Sequence, residues 1–273
     1  RNRGWLKRKE WVTFGFHVRN SSDYAYLPNV PEHVRSEKEY RHTPLPVRTD
    51  IVKELRNVLQ VNHQLSLADA IEELPRPIDV THVWPVSNET GTGTGVNHIY
   101  GFLRNRVSHL VLEYGKEFGW KTSIEVKGEG AVAGRHGVRS EYMEGMVETK
   151  IMVVTQRDGW EDHYRLQEAL VTGACVFSDF MFGLPEGLEH GKSVVLFKSP
   201  EELKSLLLYY LENTQERLAI AKKGREIAMT RHRTWHRMEE IVFGQILSTC
   251  PKKPKTDCPY IAHAREAYEE KER

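Results

Sequence analysis

The stretch from Gln156 to Asp179, QRDGWEDHYRLQEALVTGACVFSD, carries residue types and spacings able to hold a phosphorylated ligand. It reads as a strand end, a polar loop, a helix over about Asp162 to Thr172, a glycine stop and a second strand. With the helix beginning near Glu161, Glu161, Arg165 and Glu168 fall at i, i+4 and i+7 and share one face. Leu166, Ala169 and Leu170 occupy the adjoining face and can pack on a sheet. A helix N-terminus offers backbone N–H groups to a diphosphate. Arg165 supplies a planar fork that neutralises phosphate charge, and Glu168 can accept hydrogen bonds from two neighbouring hydroxyls, as on a ribose. The plainer alternative is an exposed Arg165–Glu168 pair at i, i+3, worth only about 0.3–0.5 kcal/mol. Spacing alone favours that plainer reading.

Other segments offer weaker chemistry. Gly91-Thr92-Gly93-Thr94-Gly95 follows a strand-like run, and a loop centred on Gly93 can cradle phosphate. It is no dinucleotide fingerprint, because Val96 stands where the third glycine would fall; a flexible surface loop explains it as well. Arg104 and Arg106 begin the next helix, either as phosphate contacts or as a solvated basic face. Gly187 to Ser193 imitates a P-loop, but it is one residue short and runs into a strand instead of a helix. His232 and His236 lie at zinc-ligand spacing without a third ligand nearby, so with Arg231, Arg233 and Arg237 they are expected to form a basic helix face, in contact with an anion or solvated. The chain has no Asp-x-Asp pair to hold a divalent ion, and no metal site is expected.

The elements that would position these residues follow from periodicity and punctuation. Trp11 to Val18 reads as one strand, and Pro28, Pro31, Pro44 and Pro46 break the chain after it. Thr49 to Leu59 is helical, with Ile51, Leu55, Val58 and Leu59 on one face. Past Pro75 and Pro77 the pattern becomes regular: strands at Ile78–Trp84, Lys121–Val126, Lys150–Thr155, Ala174–Ser178 and Ser193–Phe197 alternate with helices. In the first of those helices Leu103, Val107, Leu110, Val111, Tyr114 and Phe118 recur at helical spacing, and a short helix spans Glu141–Thr149. Gly173 suits a left-handed helix stop. Ser199-Pro200-Glu201-Glu202 forms a capping box, and Asn213 with Glu216 repeats the device. A last helix covers Thr234–Leu247. Alternation of this kind predicts an α/β fold with a parallel sheet covered by helices on both faces. Ligands then bind at the carboxyl ends of the strands, in the loops after Trp84, Thr155 and Ser178.

The bulk numbers set bounds. With 273 residues the chain can bury a sizeable core. A formal net charge of +1 gives no global field to attract nucleic acid, so none is expected as a partner. No apolar run is long enough to span a bilayer; membrane contact is left open. The chain starts at Arg1, which suggests a fragment or processed product. Cys175 lies in an apolar run, whereas Cys250 and Cys258 flank a Lys/Pro segment and are able to pair. Sequons at Asn20 and Asn88 point weakly to a secretory route, so secretory pathway or Golgi and cytoplasm both stay open.

Glu168-Ala169-Leu170-Val171-Thr172-Gly173 resembles the E-A-x-x-x-G helix at the donor site of GT-B glycosyltransferases. Arg165, Glu168, Ala169, Gly173 and Asp179 together fit the pattern of the CgeB-like branch of the family-1 enzymes. SVVLFKSPEELKSLL and ERLAIAKKGRE are similar to its later strand and helices, and IDVTHVW and GFLRNRV to its first strand and Arg-bearing first helix. The resemblance covers about 78–244. It implies a Rossmann-like donor half over 78–249, an incomplete or irregular N-terminal segment over 1–77 that is a possible remnant of the acceptor domain, and a charged tail over 250–273. It further implies metal-independent transfer of a sugar from a UDP- or GDP-linked donor, with no further cofactor, to a glycan, protein or small-molecule acceptor. Arg104, Arg157, His163, Arg165, Glu168 and Gly93 would bind the donor. His17, after the first strand, is the candidate catalytic base, with a structural histidine as the plainer reading. Glu161 departs by one residue from an E-x7-E array, where the expected position is Trp160, and this leaves stereochemistry open. Two alternatives stand beside this reading. Phe182-Gly183-Leu184-Pro185 fits an exostosin-like transferase, and the missing acceptor half fits a non-catalytic binding module that keeps the fold.

Overall fold

The computed structural model describes residues 11–14, 17–18, 40–43, 45–67, 74–83, 96–124, 138, 140–155, 160–161, 164–179, 181 and 184–243. In chain order its elements are β1 (Trp11–Phe14), β2 (His17–Val18), β3 (Tyr40–Thr43), α1 (Thr49–His63), β4 (Ile78–His82), α2 (Val96–Phe118), β5 (Thr122–Ser123), α3 (Ser140–Val147), β6 (Thr149–Val154), β7 (Trp160–Glu161), α4 (Tyr164–Val171), β8 (Cys175–Asp179), β9 (Val195–Phe197), α5 (Pro200–Glu212), α6 (Thr214–Arg231) and α7 (Thr234–Phe243). The sequons, Cys250, Cys258 and the charged tail lie outside the described residues.

Five strands form one parallel sheet in the order β5-β4-β6-β8-β9. Its strands are apolar and β-branched because both faces are covered. Side chains alternate along each strand. Ile151 and Val153 of β6, with Cys175 and Phe177 of β8, meet α2 and α5 through Val107, Val111, Leu203 and Leu207. Met152, Val154 and Val176 turn the other way onto Leu55, Met143, Leu166 and Leu170 of α1, α3 and α4. Each such large side chain contributes roughly 1.5–3 kcal/mol on full burial. The expected helix-covered parallel sheet is therefore the one observed. α1, which precedes Pro75, shares its apolar cluster with α3, α4 and α6. Burial holds the Cys175 thiol protonated, pushing its pKa up to about 12.

Several boundaries differ from those read in the sequence. The strand expected over Trp11–Val18 is two strands with different partners: β1 pairs in parallel with β3, while β2 pairs antiparallel with β7. α2 starts eight residues before Arg104, so Arg104 and Arg106 sit within the helix. The strand expected over Lys121–Val126 keeps only Thr122 and Ser123 among the described residues. Ser199 caps α5 as expected, accepting from Glu202 N at 3.1 Å, but the Glu202 carboxylate reaches back to Lys198 N at 2.6 Å. Asn213 does not cap α6. Its side-chain amide donates to Tyr209 O at 2.8 Å and so closes α5 instead.

The amino end of the sheet is fastened by two arginines, Arg76 half-buried and Arg225 buried. Arg76 Nη1 donates to Val147 O and Thr149 O, and its Nη2 to Thr172 O, each at 2.8 Å. Arg225 Nε donates to Val171 O at 3.0 Å, and its Nη2 to Leu67 O. The last carbonyls of α4 thus face guanidinium groups, the charge that a helix C-terminus favours. Gly173 follows with φ of 74°, the left-handed stop expected of it. Burial first, then Arg225 and Arg217, lower Arg76 to about 9.

Candidate functional site

The opposite edge of the sheet gathers side chains with open chemistry. The pairings His82↔Val153 and Val154↔Ser178 bring His82, Thr155 and Asp179 to one carboxyl edge. His82 is buried, with Nδ1 3.0 Å from Ser108 Oγ of α2 and Nε2 3.1 Å from Thr155 Oγ1. Two hydroxyls, each able to donate or accept, fix the ring plane. A small recess opens beside it, lined by His82, Val83, the end of β6, Thr155 and Arg165.

Arg165 comes from the first turn of α4. Helix N–H groups have no intrahelical partner there, so a cation and a helix N-terminus adjoin the same recess. The three-residue face expected from Glu161 does not form, because Glu161 belongs to β7 and the helix begins at Tyr164. Glu168 is no exposed partner of Arg165 either. It is 1% exposed and accepts a 2.5 Å hydrogen bond from Tyr142 OH of α3. A buried carboxylate requires such donors, because leaving water uncompensated is costly. Next to it, Gln167 is fully buried and both amide atoms lack a hydrogen-bond partner.

The remaining predicted residues divide into three groups. Arg157, His163 and Gly93 lie outside the described residues. Arg104 lies in α2, with its side chain undescribed. The backbone of His17 pairs with Glu161, which places it four residues before Arg165 in register.

The basic face expected at Arg231 to Arg237 is overturned. His232 ends α6 and His236 lies in α7, and both are buried together with Arg233 and Arg237. His232 Nε2 donates to Glu186 O at 2.9 Å, while its Nδ1 receives Arg237 Nη2. Burial and then Arg237 lower the imidazole pKa to about 3, so it is neutral. Both ring nitrogens are engaged, which leaves none to face a metal. Arg231 alone is at the surface, paired with Glu186 at 3.0 Å. The P-loop imitation folds into turns in which Glu189 N donates to Ser193 Oγ at 2.8 Å, and β9 follows, as its rejection required.

The family described as Glycosyl transferase-like matches residues 97–242, more than half of the chain. The chain belongs to that glycosyl transferase-like family. The matched region contains α2, Tyr142, Arg165, Glu168 and Asp179, and it stops short of β4 and His82. No curated protein sequence matches the chain. Among solved structures it is similar to HepE from Anabaena in complex with UDP, at 15% identity and a TM-score of 0.45, covering 76% of this chain and 57% of that one. It is also similar to HepE with UDP-glucose, at 14% identity and a TM-score of 0.48, covering 88% and 73%. A third is the C-terminal domain of a glycosyl transferase group 1 family protein, LpcC from Francisella tularensis, at 13% identity and a TM-score of 0.37, covering 60% and 90%. The chain spans 57% of the length of the first of these.

Sequence reasoning missed His82, Ser108, Thr155 and Tyr142. For His82 a signal exists: it is a polar residue near the carboxyl end of a β-rich run in a predicted parallel sheet. Ser108 interrupts an otherwise apolar helix face between Val107 and Val111. Tyr142 carries no such mark, since its role depends on how α3 packs against α4.

Proposed function

We propose that this chain carries the donor site of a metal-independent GT-B glycosyltransferase, which moves a sugar from a nucleoside diphosphate to an acceptor. The observation that carries the reading is the placing of Arg165, at the N-terminal turn of α4, in the recess beside His82 at the carboxyl ends of β4 and β6. There Arg165 and the helix N–H groups would take the diphosphate and stabilise the charge developing as the sugar leaves, in place of a metal ion. Glu168, three residues on, would accept from the ribose hydroxyls. Arg104, Arg157, His163 and Gly93 are assigned to the donor as well, and His17 to the acceptor side as base. The HepE structures contain UDP and UDP-glucose, which makes uridine donors the first to try.

A thermal-shift screen of UDP, GDP, ADP and CMP tests this. A ligand at about 100 times its Kd stabilises by roughly 2.7 kcal/mol. One diphosphate should raise the melting temperature, and Arg165→Ala and Glu168→Ala should each abolish the rise. No response to any nucleotide from well-folded protein would transfer the assignment to a binding module without donor chemistry.

A further inference from the structure

We propose that Tyr142 is a positioning residue for the donor, one that orients the Glu168 carboxylate for ribose recognition. The inference rests on the reading of Glu168 given above. Its carrying observation is the 2.5 Å hydrogen bond from Tyr142 OH to Glu168 Oε2, between two side chains that are both buried.

A glutamate has three side-chain torsions, and an unrestrained carboxylate presents its acceptor sites in many directions. An ionised carboxylate has about four lone-pair sites. The phenol engages one of them, on Oε2, and restrains the carboxylate plane. Adjacent hydroxyls of a ribose can be met by the carboxylate only when that plane is set.

Tyr142 is itself held. α3 is bolted to α1 at two points: Ser140 Oγ donates to Glu54 Oε1 at 2.5 Å, and Asn62 Nδ2 donates to Glu144 Oε1 at 2.8 Å. Met143 and Met146, in the same apolar cluster as Tyr142, anchor α3 in the core. The phenol is thus delivered to Glu168 by a helix with little freedom, so the carboxylate is ordered before a ligand arrives and its ordering cost is not charged to binding.

This predicts a readout that a merely structural tyrosine would not move: discrimination between a ribonucleotide and its 2′-deoxy form. Calorimetric titrations of the full chain with UDP, 2′-deoxy-UDP, GDP and 2′-deoxy-GDP measure it, with unfolding curves of each variant to establish that it is folded. The wild type should prefer the ribose form of its nucleotide by about tenfold, the scale of one hydrogen bond. Tyr142→Phe should lose most of that preference while binding the deoxy form as the wild type does. Glu168→Gln should lose the preference outright. Equal weakening of both forms by Tyr142→Phe, or a full ribose preference in that variant, overturns the inference. Loss of the preference in Glu168→Gln alone would overturn it while leaving the donor reading intact. A preference that survives Glu168→Gln, or no binding of either nucleotide pair, overturns the donor reading itself and the role of Tyr142 with it.

Discussion

At the amino end of the sheet, Arg76 and Arg225 direct their donors at Val147, Thr149, Val171, Thr172 and Leu67 carbonyls, and burial, followed by the charge of Arg225, lowers the affinity of Arg76 for a proton. At the carboxyl end, Arg165 borders a recess with His82 and the first turn of α4. The two groups occupy opposite ends of the same short helix. Arginines that donate to several backbone carbonyls act as struts, for each carbonyl they cover would otherwise be a buried acceptor without a partner. An arginine beside a cavity and a helix N-terminus has an anion as its natural partner. Residue type therefore says little until the end of the sheet is known.

The sharpest way to break this comparison is to remove one arginine from each end. Arg76→Ala should cost about 3 kcal/mol in a denaturant titration, since three backbone carbonyls lose a charged donor, while nucleotide affinity below the melting range stays near wild type. Arg165→Ala should do the reverse. Equal stability losses for the two would erase the distinction.

A smaller effect concerns the loop that follows β8, fastened by neutral His232. Its folded pKa, about 3, lies below the ordinary 6.5, so the unfolded chain takes up a proton that the folded chain refuses. Stability from this group is complete above pH 6.5 and declines as pH falls from there towards 3. Between pH 7 and pH 5 the loss should be about 2 kcal/mol. Urea titrations at the two values measure it, and His232→Gln should flatten the slope; an unchanged slope would mean that His232 is not the group responsible.

The smallest effect sharpens the comparison in the middle of α4. Gln167 buries an amide with no partner at either atom, and Gln167→Leu should stabilise by about 1 kcal/mol. A loss of stability in that variant would show that the amide has a partner in solution.

The sheet and its helix layers were legible because β6 and β8 are apolar runs bounded by Gly173 and capped helices, and these signals are local. Arg165 and Glu168 were legible through a motif. Their surroundings were not. The expected face from Glu161 failed because β2 draws residues 160–161 into a two-stranded ladder, a long-range pairing with no local signature. The buried fate of His232, Arg233, His236 and Arg237 was equally hidden, since Val47, nearly two hundred residues earlier, bridges to Arg233 and helps cover that turn. Tyr142 became visible only once α3 was set against α4.

The apolar face of α1 has a consequence for anyone cutting the gene. Ile51, Val52, Leu55, Val58 and Leu59 cover the outer side of α3 and the neighbouring apolar cluster. A shortened product beginning at Ile78, the first residue of the regular sheet, would leave that surface bare to water, a contiguous apolar patch of the kind that drives association. Such a product should be recovered in aggregates, whereas one that retains everything from Leu45 onward should run as a single species on a sizing column.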